Sequence, residues 1–181
     1  VTGFNLENLY FEVRHVRNKE EQLLEYVSNH CGDSGIIYCA TRKNVETVCE
    51  FLEDMGIDAT RYHAGLGADE RKRNQEDFIY DAKPVIVATN AFGMGIDKSN
   101  VRYVIHYNMP QSLENYYQEA GRAGRDGEPS ECIILYSPQD VVMNQFLIES
   151  GKDSQEMDSQ TREIVLERDR ERLKKMTYYC F

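Results

Sequence analysis

Apolar residues along this chain fall into two alternating patterns, short continuous runs and helical stripes. Tyr10–Val16, Ile36–Ala40, Ala59–Tyr62, Val85–Val87, Val101–Tyr107 and Cys132–Tyr136 are short runs rich in β-branched and aromatic residues. Such runs read as strands, and those without polar alternation read as strands buried on both faces. Between them lie helix-like stretches. Lys19–Cys31 sets Leu23, Leu24 and Val27 on one face, and Arg42–Met55 sets Val45, Val48, Cys49 and Leu52 at the i, i+3, i+4, i+7 spacing. Thr41 is placed to cap the second of these helices and Gly56 to stop it. Asp69–Tyr80 and a segment beginning at Ser112 complete the series. Strand–helix alternation of this kind predicts an α/β fold with a mainly parallel sheet and helices on both faces.

The pattern changes after Pro138. Val141–Glu149 is still apolar and helical, whereas Lys152–Lys175 is dense in charges of both signs, with Leu166 and Leu173 among its sparse apolar positions. The expectation is a domain over residues 1–150 and a charged helical segment over 151–181; its apolar positions suit a helix packed along one narrow stripe, and a solvated linker helix is the preferred alternative. Near the start, ENLYFE at Glu7–Glu12 resembles a protease tag site, but Glu12-Val13 lacks the ending such a site requires, and the strand reading is preferred.

Composition narrows the picture. With 181 residues and 41% hydrophobic content, the chain can bury a core of its own. No apolar run approaches the roughly 18 residues of a membrane span, and no secretory signal opens the sequence. Five scattered cysteines form no paired framework, which fits a reducing interior. A net charge of −10 argues against a self-sufficient DNA-binding domain, since a basic patch is the usual footprint.

Candidate chemistry lies in two glycine-rich segments. YYQEAGRAGRDG, Tyr116–Gly127, spaces Arg122 and Arg125 three residues apart among Gly121, Gly124 and Gly127, with Gln118 just upstream. Guanidiniums are planar, permanently charged forks that suit phosphate oxygens, and a backbone lacking side chains lets a polyphosphate approach. The second segment carries AFGMGIDK after the Val85–Val87 strand, with Thr89, Gly95 and Asp97 in or beside it. A loop past the carboxyl end of a buried strand is the usual ligand position of an open α/β sheet. Asp97 reads either as an acceptor for a ligand hydroxyl or as a turn residue bonding its own backbone. No GxxxxGK[ST] sequence is present, so the chain has no phosphate cradle of that kind.

Together the two segments resemble motifs V and VI of superfamily-two helicases. With Gly35–Arg42 as motif IV, YHAGL at Tyr62–Leu66, AFGMGIDK and QEAGRAGRDG, the chain resembles the RecQ family of DNA helicases over nearly its whole length. The resemblance implies a RecA-like, P-loop NTPase type, three-layer fold with a C-terminal helical extension. It implies the second motor lobe of an ATP-dependent 3′-to-5′ DNA helicase, acting in repair and recombination inside the cell, in a bacterial nucleoid or a nucleus. Arg125 would be the arginine finger and Arg122 its partner, with Gln118, Asp97 and Gly95 on the nucleotide side. Thr41, Arg42, His63 and Thr89 would contact the phosphates of single-stranded or forked DNA, although Thr41 also reads as a helix cap and His63 as a satisfied core histidine. ATP and Mg2+ would be held mainly by a first lobe of the same parent chain, so the isolated lobe would be inactive. MTYYCF, Met176–Phe181, resembles the opening of a zinc-binding module with Cys180 as one ligand; one cysteine cannot hold a tetrahedral zinc. A dinucleotide-binding enzyme is disfavoured because GRAGRDG follows a helix and has the wrong spacing. An RNA-helicase or remodeller lobe and a non-catalytic adaptor lobe are the alternatives.

Overall fold

The computed structural model describes residues 7–92, 96–153 and 158–181. Six parallel strands form one sheet in the order β1-β6-β5-β2-β4-β3: β1 Leu9–His15, β2 Ser34–Tyr38, β3 Ala59–Tyr62, β4 Val85–Ala88, β5 Val101–His106 and β6 Ser130–Tyr136. The helices are α1 Lys19–Asn29, α2 Arg42–Asp54, α3 Ala68–Ile79, α4 Leu113–Ala120, α5 Pro138–Asp153 and α6 Ser159–Cys180. The chain is thus a three-layer α/β sandwich, as the alternation of patterns predicts.

Successive strand residues point to opposite faces, and the two faces bury two separate cores. Ile37, Val85, Val87, Tyr103, Ile105, Ile133 and Leu135 meet Leu23 and Val27 of α1 and Val45, Val48 and Leu52 of α2. Ile36, Tyr38, Ile86, Val104, Cys132 and Ile134 meet Phe78 of α3, Phe92 and Ile96 of the loop after β4, Tyr116 and Ala120 of α4, and the apolar stripe of α6. This double burial is why the central strands read as unbroken apolar runs.

Element boundaries moved where hydrogen bonds outvote hydropathy. β2 is expected to reach Ala40, yet it ends at Tyr38, because the Ala40 N–H turns to Asn108 Oδ1 at 2.8 Å. β6 starts two residues earlier than expected, at Ser130, where this polar pair continues the ladder to Leu9 and Tyr10 of β1. The larger correction concerns the C-terminal segment. α6 is capped by Asp158, which accepts from the Thr161 N–H at 2.7 Å, and its Leu166, Leu173, Met176 and Cys180 are all buried in the core shared with α3 and α4. It is a docked element of the lobe rather than a solvated linker. Among the described residues no helix is long and apolar enough to cross a membrane.

The predicted cap at Thr41 is present: its Oγ1 accepts from the Asn44 N–H at 3.1 Å. Substituting alanine leaves that donor without its partner, so Thr41→Ala is expected to lower stability by about 1 kcal/mol, while Thr41→Ser leaves it nearly unchanged. A urea midpoint for the three proteins decides the matter.

Candidate functional site

Helix α4 carries the arginine segment into place. Ser112 caps it by accepting from the Asn115 N–H at 3.2 Å, and Tyr116 and Ala120 anchor its inner face in the core. After Gly121 the chain turns beneath the start of β5, with the Gly124 N–H bonded to Val101 O at 2.9 Å and the Asp126 N–H to Ser99 O at 3.0 Å. Gly124 has φ +59°, and a Cβ there would meet Asn8 Nδ2 at 2.5 Å and Ser130 Oγ at 2.8 Å. Asn8 fills that space because its amide donates to both Gly124 O, at 2.7 Å, and Glu128 O, at 2.8 Å. Glycine is therefore required at 124 both for conformation and for room.

The two arginines end in different settings. Arg125 is exposed, and its Nη1 donates to Ile96 O at 3.1 Å. Arg122 is half-buried near the Tyr38 hydroxyl. Burial raises the pKa of Tyr38 and the Glu119 carboxylate adds to this, while Arg122 and Arg125 act in the opposite sense. Asp126 does not compete for Arg125. It pairs at 2.6 Å with Arg102, whose hydrogen bond holds the carboxyl below its ordinary value. Gln118 is exposed on α4, and Asp97 is exposed one residue beyond Ile96. Gly95 lies outside the described residues.

One expectation is corrected by this arrangement. Thr89 follows β4 at the carboxyl ends of the strands, whereas Phe92 and Ile96 are buried against one face of the sheet and Lys98, just before β5, bonds to Ile79 O at the end of α3. Asp97 and Arg125 therefore share a surface near the amino end of β5, and Thr89 belongs to a different one.

That other surface follows three neighbouring strands, β2, β4 and β3. Thr41 and Arg42 come after β2, Thr89 after β4, and His63 after β3. Arg42 is exposed, and its Nη1 lies 3.3 Å from where a Gly65 Cβ would sit, so the guanidinium rests against the loop after β3. Thr89 is buried and its Oγ1 accepts from the Ala91 N–H at 3.4 Å. His63 has no nitrogen to spare. Its Nδ1 accepts from the Gly65 N–H at 3.0 Å, which puts the proton on Nε2, and Nε2 donates to Glu46 Oε1 at 2.6 Å. A direct phosphate contact by His63 is thus replaced by a structural role, holding the loop in shape. Burial alone would raise the Glu46 pKa, but hydrogen bonds from His63 and Arg61 outweigh it and hold the carboxyl below its ordinary value. Arg61 also reaches Glu70 at 3.0 Å, tying α2, β3 and α3 together.

A third cluster escaped the sequence reading. Lys19 Nζ donates to Tyr107 O at 2.6 Å and to both Asp140 oxygens at 2.8 Å, and Asn108 Nδ2 reaches Asp140 at 3.4 Å. Desolvation lowers the Lys19 pKa, and the attraction of Asp140 opposes the shift. Beside this network a cavity of about 110 Å³ is lined by Asn90, Asn108, Gln111, Asn115 and Asn144 amides and by Glu119. Its members come from four separate stretches of sequence with no shared motif, so only folding assembles them.

Among the described residues no group of three or more His, Cys, Asp or Glu side chains gathers to hold a metal. Cys180 is buried, and burial pushes its thiol up to about 12. A buried, protonated thiol without companions does not fit zinc, nor do these residues form a magnesium site.

Residues 18–127 match the model of the helicase conserved C-terminal domain. The chain is 47% identical over 179 residues to the ATP-dependent DNA helicase RecQ of Bacillus subtilis, covering 99% of this chain and 29% of that protein. It is 45% identical over 181 residues to the ATP-dependent DNA helicase hus2/rqh1 of Schizosaccharomyces pombe, covering 99% and 13% respectively. Against the RecQ-like DNA helicase BLM of Xenopus laevis it is 47% identical over 163 residues, covering 88% and 12%. The chain thus spans less than a third of the length of these curated relatives.

Proposed function

The chain belongs to the family of the helicase conserved C-terminal domain, and from this we propose that it is the second motor lobe of a RecQ-type, ATP-dependent DNA helicase. The observation that carries the reading is the surface near the amino end of β5, where exposed Arg125 bonds to Ile96 O, the neighbour of exposed Asp97, with half-buried Arg122 near Tyr38. A triphosphate bound by a preceding lobe would meet Arg125 at its γ-phosphate and Arg122 beside it. Charge that develops on the transferring phosphoryl group is stabilised by such fixed cations. Asp97, with Gly95, would accept from the ribose, and Gln118 would couple this surface to α4. Mg2+ would be held by the preceding lobe, and zinc by a downstream module. The described residues here fit neither ion.

DNA would cross the other surface. Arg42, Thr41 and Thr89 offer donors to a phosphate backbone, and the loop shaped by His63 adds backbone N–H groups, none of which reads sequence. Few cations lie there and the net charge is −10, so this lobe alone should hold DNA weakly. Closure of the cleft around ATP would draw Arg122 and Arg125 toward the first lobe, and hydrolysis would release them, shifting the grip on one strand 3′ to 5′.

The full-length protein is expected to hydrolyse ATP only slowly alone and many-fold faster when single-stranded DNA is added, whereas this lobe by itself hydrolyses none. A steady-state ATPase assay on both proteins tests it. A full-length protein whose hydrolysis ignores DNA would point to the adaptor reading instead.

A further inference from the structure

Lys98 holds an ammonium group in the interior, its side chain only 3% exposed. Nζ donates to Asp81 Oδ1 at 2.8 Å and to Ile79 O, the last residue of α3, at 3.0 Å, and it lies 5.4 Å from the centre of the Phe78 ring. The last carbonyls of a helix lack partners within it and carry its negative partial charge, so a cation there is well placed. Two residues earlier, Ile96 O receives Arg125. The three-residue stretch Ile96–Lys98 is therefore tied down at both ends. Between the ties stands Asp97, exposed and with no hydrogen bond of its own among the described residues.

These ties differ in one respect. If Arg125 turns to a phosphate, its guanidinium leaves Ile96 O, and the stretch loses that anchor at the moment nucleotide is engaged. The Lys98 anchor remains. We propose that Lys98 is a positioning residue for nucleotide binding, fastening this stretch to the carboxyl end of α3 so that the Asp97 carboxylate stays on the surface it shares with Arg125. The proposal rests on the reading of Asp97 as a nucleotide contact. Holding a binding group in place before the ligand arrives removes an ordering cost from association, so losing the anchor should appear in affinity rather than in turnover.

The site permits a clean test. Asp81 is 62% exposed, so deleting the ammonium strands no buried charge. Lys98→Met keeps an unbranched stem against Phe78. Asp81 has φ +64°, a conformation that asparagine tolerates as well as aspartate, so Asp81→Asn removes the ion pair without new backbone strain. In the full-length protein with saturating single-stranded DNA, Lys98→Met is expected to raise the KM for ATP about tenfold and to leave kcat within about twofold. Asp81→Asn should shift KM the same way by a smaller factor, and the double variant should be no worse than Lys98→Met, because both belong to one contact. Hydrogen exchange of the amides at 96–100 in nucleotide-free protein should quicken in both. If Lys98→Met fails to fold, Asp81→Asn carries the test alone. Unchanged KM and unchanged exchange in a folded variant overturn the assignment, as does a fall confined to kcat. Asp97→Asn is the reference: if its KM stays at the wild-type value while exchange in Lys98→Met quickens, the nucleotide reading of Asp97 fails and takes this role with it.

Discussion

Arg125→Ala in the full-length protein is expected to reduce DNA-stimulated ATP turnover by about a thousandfold, which corresponds to roughly 4 kcal/mol of transition-state stabilisation. The size follows from where the guanidinium stands. It is exposed on a surface it shares with Asp97, and its Nη1 makes one described contact, to Ile96 O. Water can take over a surface carbonyl, so the fold should lose no more than about 0.5 kcal/mol. The thermal midpoint should therefore stay close to wild type while kcat collapses. Arg125→Lys should recover little, since an ammonium lacks the planar fork. A folded Arg125→Ala protein that retains its kcat would remove the arginine-finger role. Arg122 is the less clean choice, because it is half-buried against Tyr38 and its loss would disturb packing as well.

Gly35→Ala should produce the largest loss of stability in the sheet. Position 35 lies in β2, between β5 and β4, and an added Cβ would stand 2.0 Å from Cε1 and Cζ of Tyr103. That ring has no room to retreat. It is fully buried and packed edge-on against Tyr26 at 5.1 Å, with His30 at 5.8 Å. The β2–β5 register also shifts between Ser34 and Gly35, which seats the tyrosine over the bare glycine. Overpacking a core costs about 1–3 kcal/mol where neighbours can adjust. Here they cannot, so a loss of at least about 3 kcal/mol is expected, or roughly 6–12 °C in thermal midpoint for a chain of this size. Shrinking the partner should relieve the clash: Gly35→Ala with Tyr103→Ala should lose less than the sum of the two single losses, the non-additive signature of residues in direct contact. A Gly35→Ala chain that melts within 2 °C of wild type, a shift of under about 1 kcal/mol, would refute this packing account.

Much of the lobe was legible in the sequence because local patterns and tertiary burial agree. The apolar runs at the centre of β2 and β4 are continuous since both faces of the sheet are covered, and Thr41 and the α2 stripe sit where capping and periodicity place them. The glycine and arginine spacing at Tyr116–Gly127 carried enough chemistry to suggest a phosphate-facing surface before any fold was known. α6 is harder to read for a physical reason: four buried residues in a helix of 22 leave a mean hydropathy that reads as solvated, although the narrow stripe through Leu166 and Leu173 is in the core.

By itself, then, the sequence determined the order of strands and helices, the double burial of the sheet and the presence of two glycine-rich segments with phosphate-binding chemistry, since each depends on residues near one another in the chain. Only the tertiary structure decided which of those residues act together. It set Thr89 at the carboxyl ends of the strands and Asp97 near the amino end of β5. It also committed both nitrogens of His63 to internal bonds, buried the Lys98 ammonium beneath Asp97, and joined Lys19 to Asp140. Each of these rests on a contact between segments remote in sequence, whose geometry is fixed by how the layers pack and leaves no mark on local periodicity.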